Sequence, residues 1–248
     1  MKLMHILVAS VAIFASAACN AEKGSDSAVA SSAPIKPIAA PNGGDWTTIV
    51  SETPEGGFVM GNPSAPVKLV EYGSMTCPHC AEFHETAEKA LIDKYVKTGQ
   101  VSFEFRNFVR DPFDITATLI ARCGGPSSFF GLTRGLFTEQ KDWIGKIQAV
   151  PPEQQQALMG MPPQQQFATI ANLAGFPQWA AMRGVPTAKS AACLADDGAV
   201  TKLAQMQSDA ISQYEIPGTP SFIINGSLVK DASAWGQLEP KLRAAIGS

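Results

Sequence analysis

Read as apolar and polar positions, the chain changes period at residue 77. Residues 67–72, VKLVEY, form a short apolar run bounded by Pro66 and Gly73, which fits a buried strand and is too short for an isolated helix. Beyond it Cys80, Phe83, Ala87, Ala90, Leu91 and Tyr95 recur at steps of three and four and share one helical face. Glu82, Glu85, Glu88, Lys89 and Asp93 lie mostly off that face, and His84 is expected as an exposed helical residue. VSFEFRNFV, from Val101, alternates in strand fashion, so the three segments predict a βαβ unit with a right-handed crossover.

From Asp114 to about Asp197 the pattern is mostly helical. FDITATLIARC predicts a first helix with Asp114 near its cap, and SSFFGLTRGLFTEQKDW a second, weakened by Gly131 and Gly135. A near-duplicated PPxQQQ predicts two short helices separated near Gly160, with prolines in their first turns. Residues 200–214 form another helix candidate. Two short strands, 221–224 and 227–229, flank Asn225-Gly226, a strong hairpin signal. ASAWGQLEPKLRAAIG closes the chain as a helix containing Pro240, and an extra strand is expected near 47–50. The order β, α, β, helical block, α, β, β, α places any site at the carboxyl end of the 67–72 strand.

Composition narrows the class. The chain has 248 residues, 45% of them apolar, and a net charge of −3, enough for one packed domain with an inserted subdomain. Nothing in this balance points to nucleic acid. The opening MKLMHILVASVAIFASAAC has a lysine, an apolar run too short to span a bilayer and then small residues, the pattern of a secretory signal. Cleavage after Ala17 or Ala18 is one expectation; lipidation of Cys19, in a lipobox-like SAAC with serine where leucine is usual, is the other. Residues 19–45, rich in Ala, Ser, Pro and Gly, read as a flexible linker.

The candidate chemistry sits in CPHC, residues 77–80. A structural zinc site usually takes four ligands, and no second pair at this spacing exists, although His84 makes a Cys/Cys/His cluster conceivable. A purely structural clip is also weak, because so short a loop constrains little of the unfolded chain. A redox pair fits best. Free N–H groups and the helix dipole favour a Cys77 thiolate, His79 is placed to add positive charge near it, Pro78 suits the first turn, and Cys80 lies one turn deeper. A thiolate stabilised in the reduced form makes the disulfide easier to reduce, hence a better oxidant.

CPHC after VKLVEYGSMT, the preceding GNPSAPV and the later IPGTPSFIING together resemble the periplasmic DsbA-like thiol:disulfide oxidoreductases of the thioredoxin superfamily, over residues 58–247. The resemblance implies an α/β thioredoxin fold with an inserted helical subdomain. Its expected parts are a signal peptide 1–18, linker 19–45, first thioredoxin part 46–113, helical insertion 114–198 and second thioredoxin part 199–248. It implies a cis Pro220 opposite Cys77, where an ordinary X-Pro bond is cis about one time in twenty. Gly218, Thr219 and Pro220 would then form a substrate-binding loop, with the Thr219 backbone open to an extended peptide. The most oxidising enterobacterial members carry valine in place of Thr219, which leaves the oxidising strength open.

Glu71, on the strand leading to the site, is a candidate proton carrier for Cys80, the alternative being a strand-end carboxylate paired with solvent or Lys68. Cys123 and Cys193 would pair as a structural disulfide, as in some alphaproteobacterial relatives, or stay apart as small buried hydrophobes. The implied activity is donation of the Cys77–Cys80 disulfide to folding secreted proteins, with a DsbB-like quinone-linked partner for reoxidation and no dissociable cofactor or metal. A monomer is expected, since leader and linker are too short for the dimerisation domain of dimeric isomerases. Periplasmic location follows, with a membrane tether if Cys19 is lipidated. A reductase or isomerase kept reduced by a membrane donor is one alternative, and a non-catalytic thioredoxin-like metal-binding module is another.

Overall fold

The computed structural model describes residues 33–247, so the expected signal peptide and Cys19 lie outside the described residues. Six strands form one sheet in the order β1-β2-β4-β3-β5-β6. They are β1 (Val50–Glu52), β2 (Phe58–Met60), β3 (Val67–Gly73), β4 (Val101–Asn107), β5 (Ser221–Ile224) and β6 (Ser227–Leu228). β3 and β4 pair in parallel, and every other pair is antiparallel. Asn225 and Gly226 make the β5–β6 turn with φ of 50° and 83°, the left-handed geometry that this dipeptide tolerates.

The strand period of two sorts the sheet into faces. Val67, Leu69, Val101, Phe103, Phe105, Phe222 and Ile224 join the main core, while Val70, Tyr72 and Ile223 pack on the other side against Phe108, Ala210 and Ile216. Helix α1 (Pro78–Thr86) continues through α2 (Glu88–Leu91) into a π-turn at Ile92–Val96. The single helix expected from the periodicity is therefore bent at Ala87, whose φ of −117° departs from helical values.

Seven helices follow β4: α3 (Pro112–Cys123), α4 (Pro126–Thr138), α5 (Gln140–Gln148), α6 (Pro152–Met159), α7 (Pro163–Ala174), α8 (Phe176–Ala181) and α9 (Thr187–Leu194). The expected second helix divides at Glu139 into α4 and α5. Asp114 lies near the α3 cap as expected; the cap itself is Asp111, which accepts the Asp114 N–H at 2.8 Å and leaves the Asp114 carboxylate for other partners. Cys123 and Cys193 are joined by a disulfide linking α3 to α9, with Cα atoms 5.8 Å apart. The chain returns through α10 (Asp197–Tyr214), the β5–β6 hairpin and α11 (Trp235–Ile246).

The expected linker is seated on the domain well before residue 45. Ile35 donates to the Ile246 carbonyl at 2.9 Å, Ile38 to Thr98 at 2.8 Å, and the buried Trp46 indole to the Ile38 carbonyl at 2.7 Å. Isolated apolar residues in an Ala/Pro-rich stretch carry no period, so composition alone did not reveal this contact. Among the described residues no helix is long and apolar enough to cross a membrane.

Candidate active site

Cys77 is the N-cap of α1 and Pro78 opens its first turn, so the Cys77 sulfur faces the free N–H groups of the helix start. Cys80, one turn further, is fully buried, and both cysteines are free thiols. The Cys80 thiol donates to the Cys77 sulfur. Against the cost of burial, the Thr219 hydroxyl and the backbone N–H groups of Cys80 and His79 add to this, and together they lower the Cys77 pKa to about 5. Burial, donation to Cys77 and the nearby Glu71 charge push Cys80 in the opposite direction, well above the ordinary thiol range. One sulfur is thus held as a thiolate and its neighbour as a thiol.

The Thr219–Pro220 bond is cis, and the Cys77 thiol donates to the Thr219 carbonyl at 3.1 Å. The Thr219 hydroxyl is buried with no hydrogen-bond partner among the described residues. It is a donor free to turn to sulfur when Cys77 ionises. Ser221 ties the loop down by donating to the Gly218 carbonyl at 2.7 Å.

His79 behaves differently from the sequence expectation. Its imidazole is mostly exposed and sits 3.6 Å from Glu82, so its help to Cys77 comes from the backbone N–H. A helix-start residue points its side chain outward while its amide points at the cap.

Glu71 is fully buried on the core face of β3, where Gly73 leaves room for it. A Cβ at position 73 would lie 2.5 Å from the Phe105 ring and 3.1 Å from Glu71 Oε1. Its partner is neither solvent nor Lys68, which donates instead to the Pro63 carbonyl at 2.5 Å. The partner is His84, whose Nε2 lies 3.2 and 3.1 Å from the two Glu71 oxygens. Burial raises the Glu71 pKa, and the His84 charge offsets only part of that.

His84 is buried, correcting its expected exposure, and Glu88 is buried with it. The imidazole stacks on Phe137 at 4.4 Å and lies edge-on to Phe105 at 5.7 Å. Burial disfavours its charge, but the Glu71 and Glu88 carboxylates overcome this and lift its pKa to about 10. Glu88 in turn accepts two hydrogen bonds from Arg134, at 2.7 and 3.0 Å, and its pKa is lowered despite burial. The spacing 80, 84, 88 on a strip facing the Glu71 strand was the available signal. It was masked because polar residues were assigned to the solvent side.

Two side chains of the helical block grip the turn that carries Cys77. Asp114 accepts from the Ser74 hydroxyl at 2.5 Å, the Met75 N–H at 2.8 Å and the Arg110 N–H at 3.1 Å. Gln140, at the start of α5, donates one amide group to the carbonyls of Met75 at 2.8 Å and Cys77 at 3.0 Å.

The fold has known relatives. A family model described as "Thioredoxin" matches residues 53–243. The crystal structure of a protein-disulfide isomerase from Novosphingobium aromaticivorans is 36% identical, covers 77% of this chain and 97% of its own, and superposes with a TM-score of 0.73. Alpha-DsbA1 of Wolbachia pipientis, at 23% identity over 70% of this chain and 76% of its own, has the same fold with a TM-score of 0.56. A curated Rickettsia bellii protein, provisionally named a protein-disulfide oxidoreductase, is 30% identical over 69% of this chain and 58% of its own length. For a Rickettsia prowazekii protein of the same provisional name, 31% identical over 44% of this chain, the share is 44%, so the chain spans about half the length of these curated relatives. The sheet, the CPHC helix and the inserted helices form a thioredoxin fold with a helical subdomain, and the chain belongs to the thioredoxin family.

Proposed function

We propose that the protein is a DsbA-type thiol:disulfide oxidoreductase that donates the Cys77–Cys80 disulfide to folding secreted proteins. The observation that carries this is the asymmetry of the pair, a Cys77 held as thiolate by the Cys80 thiol, the Thr219 hydroxyl and two backbone N–H groups beside a buried Cys80 held as thiol. A stabilised thiolate is a good leaving group, and it favours the reduced enzyme over its disulfide.

A substrate thiolate attacks the Cys77 sulfur of the disulfide, forming a mixed disulfide and expelling Cys80 as a thiolate, which takes a proton through Glu71. A second substrate thiolate then attacks the substrate sulfur of the mixed disulfide, closing the substrate disulfide and releasing Cys77 as thiolate. The substrate loses two electrons and the enzyme gains them. Gly218, Thr219 and Pro220 offer the backbone edge along which an extended substrate would lie. Export by the leader, with or without a lipid at Cys19, would place the monomer in the periplasm, where a DsbB-like membrane partner would reoxidise it.

A second reading is an isomerase or reductase kept reduced by a membrane donor. It is supported by the likeness to the Novosphingobium protein-disulfide isomerase and by Thr219 before the cis-proline. Equilibration of the pair in glutathione buffers tests both. A potential well above the glutathione poise supports the oxidase, and one near that of thioredoxin, roughly −270 mV, overturns it in favour of the reductant. Cys77→Ser is expected to lose activity in either case.

A further inference from the structure

A line of charged side chains runs from beneath the redox pair to the surface on the side away from Cys77. Glu71, fully buried, is close enough to Cys80 for its charge to push that thiol upward. Its oxygens face His84 Nε2 at 3.1 and 3.2 Å. The other ring nitrogen, Nδ1, is buried with no hydrogen-bond partner among the described residues and faces Glu88 Oε2 at 3.8 Å. Glu88 holds Arg134, whose side chain is half exposed. His84, Glu88 and Arg134 all line a surface cavity of about 520 Å³, with Glu85, Lys89 and Asp93 around it.

Packing does not account for this. Phe105 and Phe137 would hold an apolar ring equally well, and burying a histidine with two acids costs more than an apolar replacement of similar volume. A cation that only neutralised Glu71 would need one contact, whereas this ring presents each nitrogen to a different carboxylate. Cys80, meanwhile, has no exposed surface.

We propose that His84 is a positioning residue that relays protons between Glu71 and the cavity at Glu88 and Arg134, and that the Cys80 thiol exchanges its proton by this route. The proposal rests on the oxidoreductase reading above. When substrate attack expels the Cys80 thiolate, Cys80 takes the proton of Glu71. Glu71 is reprotonated by Nε2–H of the His84 imidazolium; the ring then turns over to present its remaining N–H to Glu71, and the bare nitrogen now facing Glu88 takes a proton from solvent by way of that carboxylate. When Cys80 is reoxidised its proton leaves along the same line in reverse, and the ring ends as the imidazolium it was at the start. The titratable and charged groups facing His84 are Glu71 from β3, Glu88 from α2 and Arg134 from α4 through Glu88, with Cys77 and Cys80 beyond Glu71. β4 and α4 add the uncharged Phe105 and Phe137.

The test is single-turnover oxidation of a reduced dithiol peptide by the full-length oxidised protein, followed across pH. His84→Gln, which keeps a hydrogen bond to Glu71, is expected to slow the step by about tenfold, short of the 10²–10⁴-fold of a directly acting acid or base. Free imidazole, entering the cavity, should restore part of the rate, and the Cys77 pKa should stay low. Glu88→Gln, which leaves the Glu71–His84 pair intact, should slow the same step and respond to imidazole in the same way. Wild-type rates for either variant overturn the relay, as does a slowing that imidazole does not relieve and that accompanies a shifted Cys77 pKa. If Cys77→Ser oxidises the peptide as the wild type does, the oxidoreductase reading itself fails. Full dependence on Cys77 with an unaltered His84→Gln rate overturns the relay alone.

Discussion

The sulfur of Cys77 and the carbonyl oxygen of Thr219 lie 3.1 Å apart, although 142 residues separate them in the chain. A carbonyl accepts from a thiol but offers nothing to a thiolate, so ionisation of Cys77 breaks this bond and transfers the sulfur to its donors. The Cys80 thiol is the largest of these. Cys80→Ala is therefore expected to raise the Cys77 pKa from about 5 toward the ordinary thiol range, read from thiolate absorbance against pH. An unchanged midpoint would show that the helix start alone holds the charge.

The same ionisation sets how reduced-protein stability depends on pH. Between about 5, the folded value, and 9.0, the unfolded reference, the unfolded chain binds a proton that the folded one has lost. The Cys77 contribution to stability thus rises with pH through that window, is complete above it, and is lost as pH falls through about 5. Urea midpoints of reduced wild type compared with reduced Cys77→Ser should diverge upward across this range. Parallel curves would contradict the thiolate assignment.

His84 is expected to stay doubly protonated at pH values between 6.5 and about 10, because two carboxylates face its ring. Nitrogen chemical shifts of a histidine-labelled sample should show an imidazolium there, with the signal lost in His84→Gln. A neutral ring in that window would mean that burial outweighs the carboxylates.

Asp114 is fully buried and accepts three hydrogen bonds, two of them from the turn before Cys77. Asp114→Ala strands the Met75 N–H and the Ser74 hydroxyl, and is expected to cost roughly 3 kcal/mol in urea unfolding. It should also shift the redox potential, because the turn is no longer held. A stable variant with a wild-type potential would show that the turn holds its shape unaided.

The Cys123–Cys193 disulfide closes a loop of 70 residues, worth about 4 kcal/mol in the chain-entropy account. The double variant Cys123→Ala, Cys193→Ala should lose much of that stability by thermal melting and keep peptide oxidation in the cold. Loss of oxidation while still folded would assign this bond to the chemistry.

The frame of the molecule was legible because strands and helices carry distinct periods. VKLVEY, VSFEFRNFV and the Asn225-Gly226 hairpin all lie where their patterns place them. The redox turn was legible through CPHC and the distant GTP loop. Unseen were the contacts that obey no period. His84 and Glu88 look like solvent residues by polarity, yet each pairs with a charge that folding brings from another element. Asp114 was read only as lying near a helix cap; Asp111 is that cap, and the Asp114 carboxylate reaches the redox turn instead. Ile35, isolated in a low-complexity stretch, has its partner at the other end of the domain.

The grip of Asp114 and Gln140 on the turn from Ser74 to Cys77 makes the motif inseparable from its surroundings. Four of the turn's polar groups answer to residues that lie 39 to 65 positions away, all within the inserted helices. Transplanting CPHC into a plain thioredoxin scaffold would move the cysteines without the residues that fix their backbone, so the graft would inherit the sequence of this site without its reactivity.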